Sequence, residues 1–320
     1  MTLDAVRALS LEEMQQARQR IAPWVVRTPL LRLDTGKDGP DIRLKLENLQ
    51  ITNSYKLRGA LNAVASLDEA QRRRGVWTIS AGNAGQGIAY AAGRVGVPCT
   101  VVAIETAPTA KLDRMRALGA TLVPVSFADA WQALDERRYA GVEGTFIHPF
   151  DDDAFIAGHS SLAFEILEDA PEVSSVVAAV GGGGLLTAVG SAIKALKPQT
   201  KVYGVEPETA SPLAVSLAKG SPQPFPQWQA SFVDGAGGKG VFPRMWQRLR
   251  PVIDGSIVVS LEETRLAMRE IAEKTRVIAE GAGSLPLAAA RSGKAGDGTI
   301  VCVVSGGNID LSKFISLMAD

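Results

Sequence analysis

The chain has 320 residues, and its 34 Lys and Arg are matched by 34 Asp and Glu, so it carries no formal net charge. With 46% apolar and 21% charged residues its composition is that of a globular protein, which excludes a disordered or fibrous chain. The balanced charge gives no support for nucleic-acid binding, which needs a basic face, and at roughly 150 residues per domain the length fits two domains or one large α/β unit.

The N-terminal segment, MTLDAVRALSLEEM, is acidic and lacks an apolar run, so a signal peptide is not expected. Ser10 to Trp24 reads as a helix opened by a capping box of Ser10 and Glu13, with Met14, Ala17 and Ile21 on one face. After a turn at Arg27-Thr28-Pro29 the chain alternates. β-rich runs at Val76–Ser80, Cys99–Ile104, Thr121–Val125 and Thr145–Ile147 are separated by helical stretches at Gly87–Arg94, Ala110–Leu118 and Ala128–Tyr139. A second series begins after about Gly144. Ser175–Val180, Lys201–Val205 and Thr299–Val304 read as buried strands, and Leu185–Leu196 and Ser260–Arg276 as helices. This βαβ rhythm predicts parallel sheets flanked by helices. The three prolines of Ser221–Pro226 mark a surface loop.

Val173 to Ile193 carries no charge and has the length of a membrane span. Its centre is Gly181 to Gly184, and each glycine costs a helix about 1 kcal/mol against alanine. A strand, a glycine loop and a helix account for it better, and no membrane partner is expected. Cys99 and Cys302 sit in apolar runs and read as reduced core residues, which points to a cytoplasmic protein.

Four motifs have the makings of chemistry. Asn53-Ser54-Tyr55-Lys56-Leu57-Arg58-Gly59-Ala60 places a lysine near a helix start, although most single lysines are simply solvated. Ser80-Ala81-Gly82-Asn83-Ala84-Gly85 follows a strand and leads into a helix, where small residues let backbone N–H groups approach an anion. The plain alternative is an ordinary strand-to-helix turn. Gly181-Gly182-Gly183-Gly184 again joins strand to helix and would form a nest for a phosphate. It is not a dinucleotide fingerprint, because Leu186 and Thr187 stand where a third glycine would be needed, and no Gly-Lys-Ser/Thr follows for a P-loop. Its plain alternative is tight strand–helix packing. Ser305-Gly306-Gly307-Asn308 ends an apolar strand, where ligands of open α/β sheets bind; a simple turn is the alternative there. Arg72-Arg73-Arg74 reads as a solvated face, and Asp151-Asp152-Asp153 as a polar loop. With only His148 and His159, a zinc site or a Ser-His-Asp triad is not expected.

As a set, in this order, the four motifs resemble those of the fold-type II pyridoxal-phosphate (PLP) enzymes, most closely the serine/threonine dehydratase and serine racemase family. The resemblance runs from about Arg18 to the end. It takes in Arg27-Thr28-Pro29-Leu30, Glu47-Asn48-Leu49-Gln50 and His148-Pro149-Phe150-Asp151. It implies a two-domain α/β architecture, with residues 1–65 and 146–320 as a large PLP-binding domain and 66–145 as a small inserted one. It also implies roles. Lys56 would form the Schiff base with PLP, and Tyr55 would lie against the ring. Asn83 would bond the phenolic oxygen and Ser305 the pyridine nitrogen. Gly181, Gly182, Gly183, Gly184 and Leu185 would hold the phosphate. Gly235 would line the ring, and Glu280 would lie near it. Ser80, Ala81, Gly82, Asn83 and Ala84 would hold the substrate carboxylate. The implied reaction is loss of water from a β-hydroxy amino acid, giving a 2-oxo acid and ammonia. A homodimer is an assembly the resemblance allows.

Several residues depart from the family pattern. Ala81 stands where racemases carry a serine that acts on the far face of the cofactor, which favours a lyase over racemisation. Ala84 replaces a common histidine, either as a neutral exchange or as one that leaves room for a bulkier substrate such as a phenylserine. His159 stands where glutamine is common. Glu206 and Ala210 match two members of a cation site found in some relatives, but Pro212 replaces its aspartate, so no metal is expected. The chain ends soon after Asn308, without the regulatory domain of biosynthetic relatives, which suggests a catabolic role. The rival readings are β-replacement of the cysteine synthase type, serine racemisation, and a non-catalytic PLP-binding protein.

Overall fold

The structure, a computed structural model, describes residues 5–37, 39–107 and 109–319; the first four residues of the N-terminal segment lie outside these. Helix α1 (Leu11–Ile21) opens with the expected box: Ser10 Oγ accepts from the Glu13 N–H at 3.1 Å, and Glu13 accepts from the Ser10 N–H at 2.8 Å. Two strands follow that the sequence pattern does not announce, β1 (Leu30–Arg32) and β2 (Asp41–Lys45). Their charged residues mask a short alternation in which Ile42 and Leu44 face the core.

After α2 (Lys56–Ala65) and α3 (Glu69–Arg74) comes the first alternating series: β3 (Val76–Ile79), α4 (Asn83–Arg94), β4 (Cys99–Ile104), α5 (Thr109–Ala117), β5 (Thr121–Val125), α6 (Phe127–Glu136) and β6 (Thr145–Phe146). Its strands make a parallel sheet in the order β5-β4-β3-β6. The chain then builds α7 (Asp153–Asp169), β7 (Ser175–Ala179), α8 (Gly184–Leu196), β8 (Lys201–Pro207), α9 (Pro212–Lys219), α10 (Pro243–Leu249), β9 (Gly255–Val259), α11 (Leu261–Thr275), α12 (Gly281–Arg291), β10 (Thr299–Val303) and α13 (Leu311–Met318). The larger sheet has the order β1-β2-β10-β7-β8-β9, all parallel except β1. The N-terminal β2 thus lies beside the C-terminal β10, and the four-stranded sheet is made entirely from the chain between them.

Helix α7 corrects one expectation. Asp151 to Asp153 is no exposed loop: the Asp152 side chain caps α7 by accepting the Phe155 N–H at 2.8 Å. Asp151 is buried and takes ion pairs from Arg244 at 2.8 Å and Arg248 at 2.9 Å, with Arg137 beside them. Arg72 to Arg74 lie at the end of α3, toward solvent, as expected. Leu57 and Leu61 of α2, Ile88 of α4 and Phe155 of α7 share one apolar cluster, so α2 and α4 are packed as one layer. Among the described residues no helix is long and apolar enough to cross a membrane.

Candidate active site

The lysine block and the Ser-Gly-Gly-Asn block, far apart in sequence, are joined through their backbones. The Tyr55 N–H donates to the Ser305 carbonyl at 3.0 Å and the Gly307 N–H to the Asn53 carbonyl at 3.0 Å, with a bridge between Ser54 and Gly306. This brings Lys56, the first residue of α2, to the C-terminal end of β10. Its Nζ donates to the Pro149 carbonyl at 2.6 Å and lies 5.3 Å from the ring centres of both Tyr55 and Phe155. Burial lowers its pKa to about 7.

Three strand ends converge here. Past β3, the Gly82 N–H donates to Ser80 Oγ at 3.2 Å, and α4 starts at Asn83 with no side-chain cap. The helix therefore begins earlier than Gly87, the start read from the sequence, because the polar turn residues belong to its first turn. Past β7, Gly183 has φ +92°, a left-handed value that suits glycine, and no side chain caps α8. The first N–H groups of α4 and α8 are thus left for ligands. The tight-packing alternative for the tetraglycine also has physical grounds. A Cβ on Gly181 would come 2.9 Å from the Gly235 carbonyl, and one on Gly182 would overlap the Phe150 ring. Past β10, Ser305 is buried at the cavity wall.

Tyr55, Lys56, Gly182, Gly235, Glu280 and Ser305 line one cavity of about 520 Å³. The stretch Ser80 to Ala84 forms a second wall. Gly181, Gly183, Gly184 and Leu185 are not among the lining residues, and the Leu185 side chain belongs to the core under α8, so only its backbone can serve a ligand. Glu280, the N-cap of α12, accepts from Asn83 Nδ2 at 2.7 Å. Burial, then the nearby Asp234, raises its pKa to about 7. The remaining wall comes from the small sheet and its helices and is mostly apolar: Val102, Ile104, Ala107, Phe127, Trp131 and Leu134.

His159 gains an account. Its Nδ1 accepts the Gly59 N–H at 3.1 Å, and its ring lies 4.7 Å from those of both Tyr55 and Phe155, so it props Tyr55 from behind. Burial and the charges of Lys56 and Arg58 push its pKa well down, keeping it neutral. Glu206 caps α9, accepting from the Leu213 and Ala214 N–H groups at 2.8 and 2.9 Å and from Ser256 Oγ at 2.8 Å. Sequence reasoning gave no role to Pro149, which holds Lys56, or to Lys111, which reaches from α5 to Asp234 at 2.9 Å. The resemblance pointed at the first through His148-Pro149-Phe150-Asp151; nothing local marks the second.

The sequence pattern of the pyridoxal-phosphate dependent enzyme family matches residues 21–306. The catabolic L-threonine dehydratase TdcB of Staphylococcus aureus (strain USA300) is 34% identical over 321 residues, covering 98% of this chain and 92% of its own length. The structure of maize serine racemase superposes with a TM-score of 0.88 at 29% identity, covering 98% of both chains. A threonine deaminase from T.th. superposes with a TM-score of 0.83 at 36% identity, covering 95% of this chain and 99% of its own. The chain belongs to the pyridoxal-phosphate-dependent enzyme family, with a fold of type II. Its cofactor is pyridoxal phosphate and it is an ammonia-lyase of the dehydratase type. The residues present fit that cofactor: an amine whose pKa burial lowers to about 7, an uncapped helix N-terminus for a phosphate, and a hydroxyl at the end of β10.

Proposed function

We propose that the enzyme removes water from a β-hydroxy amino acid and that it accepts a bulky apolar β-substituent, such as that of a phenylserine. One observation carries this reading: the cavity that holds the Lys56 amine at one side is walled on the other by Val102, Ile104, Phe127, Trp131 and Leu134, beside a small Ala84. Serine or threonine alone would leave much of that apolar wall uncovered.

When bound, the cofactor supplies an electron sink for negative charge at the substrate Cα. The N-terminal N–H groups of α8 would hold its phosphate. Asn83 would donate to its phenolic oxygen, and the Ser305 hydroxyl would meet its ring nitrogen. A hydroxyl is neutral and does not hold a proton there as a carboxylate would. The free end of α4 and the Ser80 hydroxyl hold the substrate carboxylate. Lys56 takes the Cα proton: burial lowers its pKa to about 7, so a large share of the amine is unprotonated near neutrality. Hydroxide and this proton leave as water. The released enamino acid then adds water and loses ammonia to become a 2-oxo acid.

The test is 2-oxo acid release from the PLP-loaded enzyme, with L-Ser, L-Thr and both phenylserine diastereomers. The expected result is release from a phenylserine at a kcat/KM at least equal to that for threonine. Release from serine and threonine only would remove the bulky-substrate reading and leave an ordinary dehydratase. Silence from all four would overturn the elimination itself.

A further inference from the structure

A chain of side-chain hydrogen bonds runs from the small sheet's helices to Asn83. Arg114, on α5, donates through Nη1 to Asn308 Oδ1 at 2.9 Å and through Nη2 to Asn53 Oδ1 at 2.7 Å. Asn308 Nδ2 donates to Asn83 Oδ1 at 2.7 Å and to the Thr52 carbonyl at 2.9 Å. Asn83 Nδ2 donates to Glu280 Oε1 at 2.7 Å.

The direction of this chain is chemically determined. Carboxamides normally have two interchangeable faces, but a guanidinium has donors only. Asn308 must therefore turn its oxygen to Arg114, which turns its NH2 to Asn83. Asn83 must then turn its oxygen to Asn308, which leaves its NH2 facing Glu280 and the cavity. One Nδ2 hydrogen goes to Glu280, and the other remains for the cofactor. Asn53, the second anchor of Arg114, sits at φ +54° and accepts the Gly307 N–H on its carbonyl, so the loop carrying Asn308 is tied to the same point.

We propose that Asn308 is a positioning residue: it fixes the Asn83 carboxamide with its N–H side toward the cofactor, and Arg114 sets the polarity of the arrangement from α5. The proposal rests on the role of Asn83 as a donor to the phenolic oxygen. It implies that the docking of α5 is sensed at the cofactor, with no contact between Arg114 and the ring.

The test uses the full-length holoenzyme and reads PLP affinity and the ratio of the bound cofactor's visible to near-ultraviolet absorption bands, both without substrate. Asn308→Asp keeps its shape and an ion-pair partner in Arg114, but offers no donor to Asn83. It should weaken PLP binding by about tenfold, the order of one net hydrogen bond, and shift the band ratio in the same direction as Asn83→Ala. Arg114→Lys, still donor-only, should stay near the parent, whereas Arg114→Leu should move partway toward Asn308→Asp. The melting temperature of the cofactor-free Asn308→Asp protein should fall by only a few degrees, the effect of losing the bond to the Thr52 carbonyl as well. A fall in melting temperature with unchanged band ratio and affinity would make Asn308 merely structural and overturn the proposal. Asn83→Ala with an unaltered spectrum would overturn it at its root, while leaving the elimination reading to its own assay.

Discussion

At the scale of single residues, the site depends on one amine and two alanines. Among the described residues Lys56 has no carboxylate neighbour within hydrogen-bond reach; the Pro149 carbonyl and two aromatic rings lie against it, and burial lowers its pKa to about 7. Only the unprotonated amine attacks the cofactor's carbonyl, so the uptake of PLP by cofactor-free protein should accelerate as pH rises through about 7 and level off above it. A profile that keeps climbing toward pH ~10 would show an ordinary lysine. Ala81 lines the cavity yet has no group able to carry a proton. Racemisation of serine should therefore be far slower than elimination, and Ala81→Ser should raise it by about tenfold or more, at or below the low end of what a placed acid–base group supplies; chiral chromatography of the residual serine measures this. Ala84 is buried at the same wall. Ala84→His should lower kcat/KM for phenylserine more than for threonine, and an equal loss for both would remove its part in specificity.

At the scale of elements, the crossing of α2 and α7 sets where Lys56 can lie. Their backbones touch through Gly59 and Gly158: a Cβ on Gly59 would overlap the His159 ring and come 2.5 Å from the Phe155 carbonyl, and one on Gly158 would lie 2.8 Å from Asn62 Cβ. Backbone cannot move aside cheaply, so Gly59→Ala should destabilise the fold by about 1–3 kcal/mol, read as a drop in denaturation midpoint at unchanged slope. The sequence made some of these elements readable and hid others for identifiable reasons. Strands β3, β4, β7, β8 and β10 stand out because buried parallel strands are near-continuous apolar runs, and β5, a partly exposed edge strand, by its β-rich composition. Helix α7 does not, since it is buried on nearly every side from Phe155 to Ile166 and has no polar face to give it a period. Strand β1 has only three residues, and β2 carries charged residues at alternate positions. Asn83 and the tetraglycine stood out because their motifs sit at strand–helix junctions, and Lys56 only through the resemblance of its block. Lys111, Pro149 and the bonding partners of Asn308 did not, because only folding brings their neighbours near.

At the scale of the whole molecule, two parallel sheets direct their strand C-terminal ends toward one cavity: β3 from the small sheet, β7 and β10 from the large one. The small unit, proposed as residues 66–145, supplies nearly all of the apolar wall, while the large unit supplies Lys56, Ser305 and the glycine turn proposed to hold the phosphate. Under the proposed function, substrate size would be controlled by a different part of the chain from the one that performs the chemistry. An aromatic rim spans the opening between the two units. Trp131, on α6, lies 5.9 Å from Phe127 on the same helix and 5.8 Å from Phe242 just before α10. Lys239 sits 5.0 Å from the centre of the Phe127 ring and 4.9 Å from that of Trp228, a cation facing two rings across the gap. Trp131 and Phe127 line the cavity and remain about half exposed, at 46% and 52%, so part of each ring is open to a substrate ring. Aromatic contacts of this kind contribute about 0.5–1.5 kcal/mol beyond area burial, a factor of about two to ten in binding. Trp131→Ala should therefore raise KM for phenylserine by about two- to tenfold and leave kcat nearly unchanged, since an indole at the rim carries no group that moves the Cα proton. Threonine, which has no ring to set against the rim, should show the same KM with either side chain. A parallel rise in KM for both substrates would mean that Trp131 holds the two units together without contacting what lies between them.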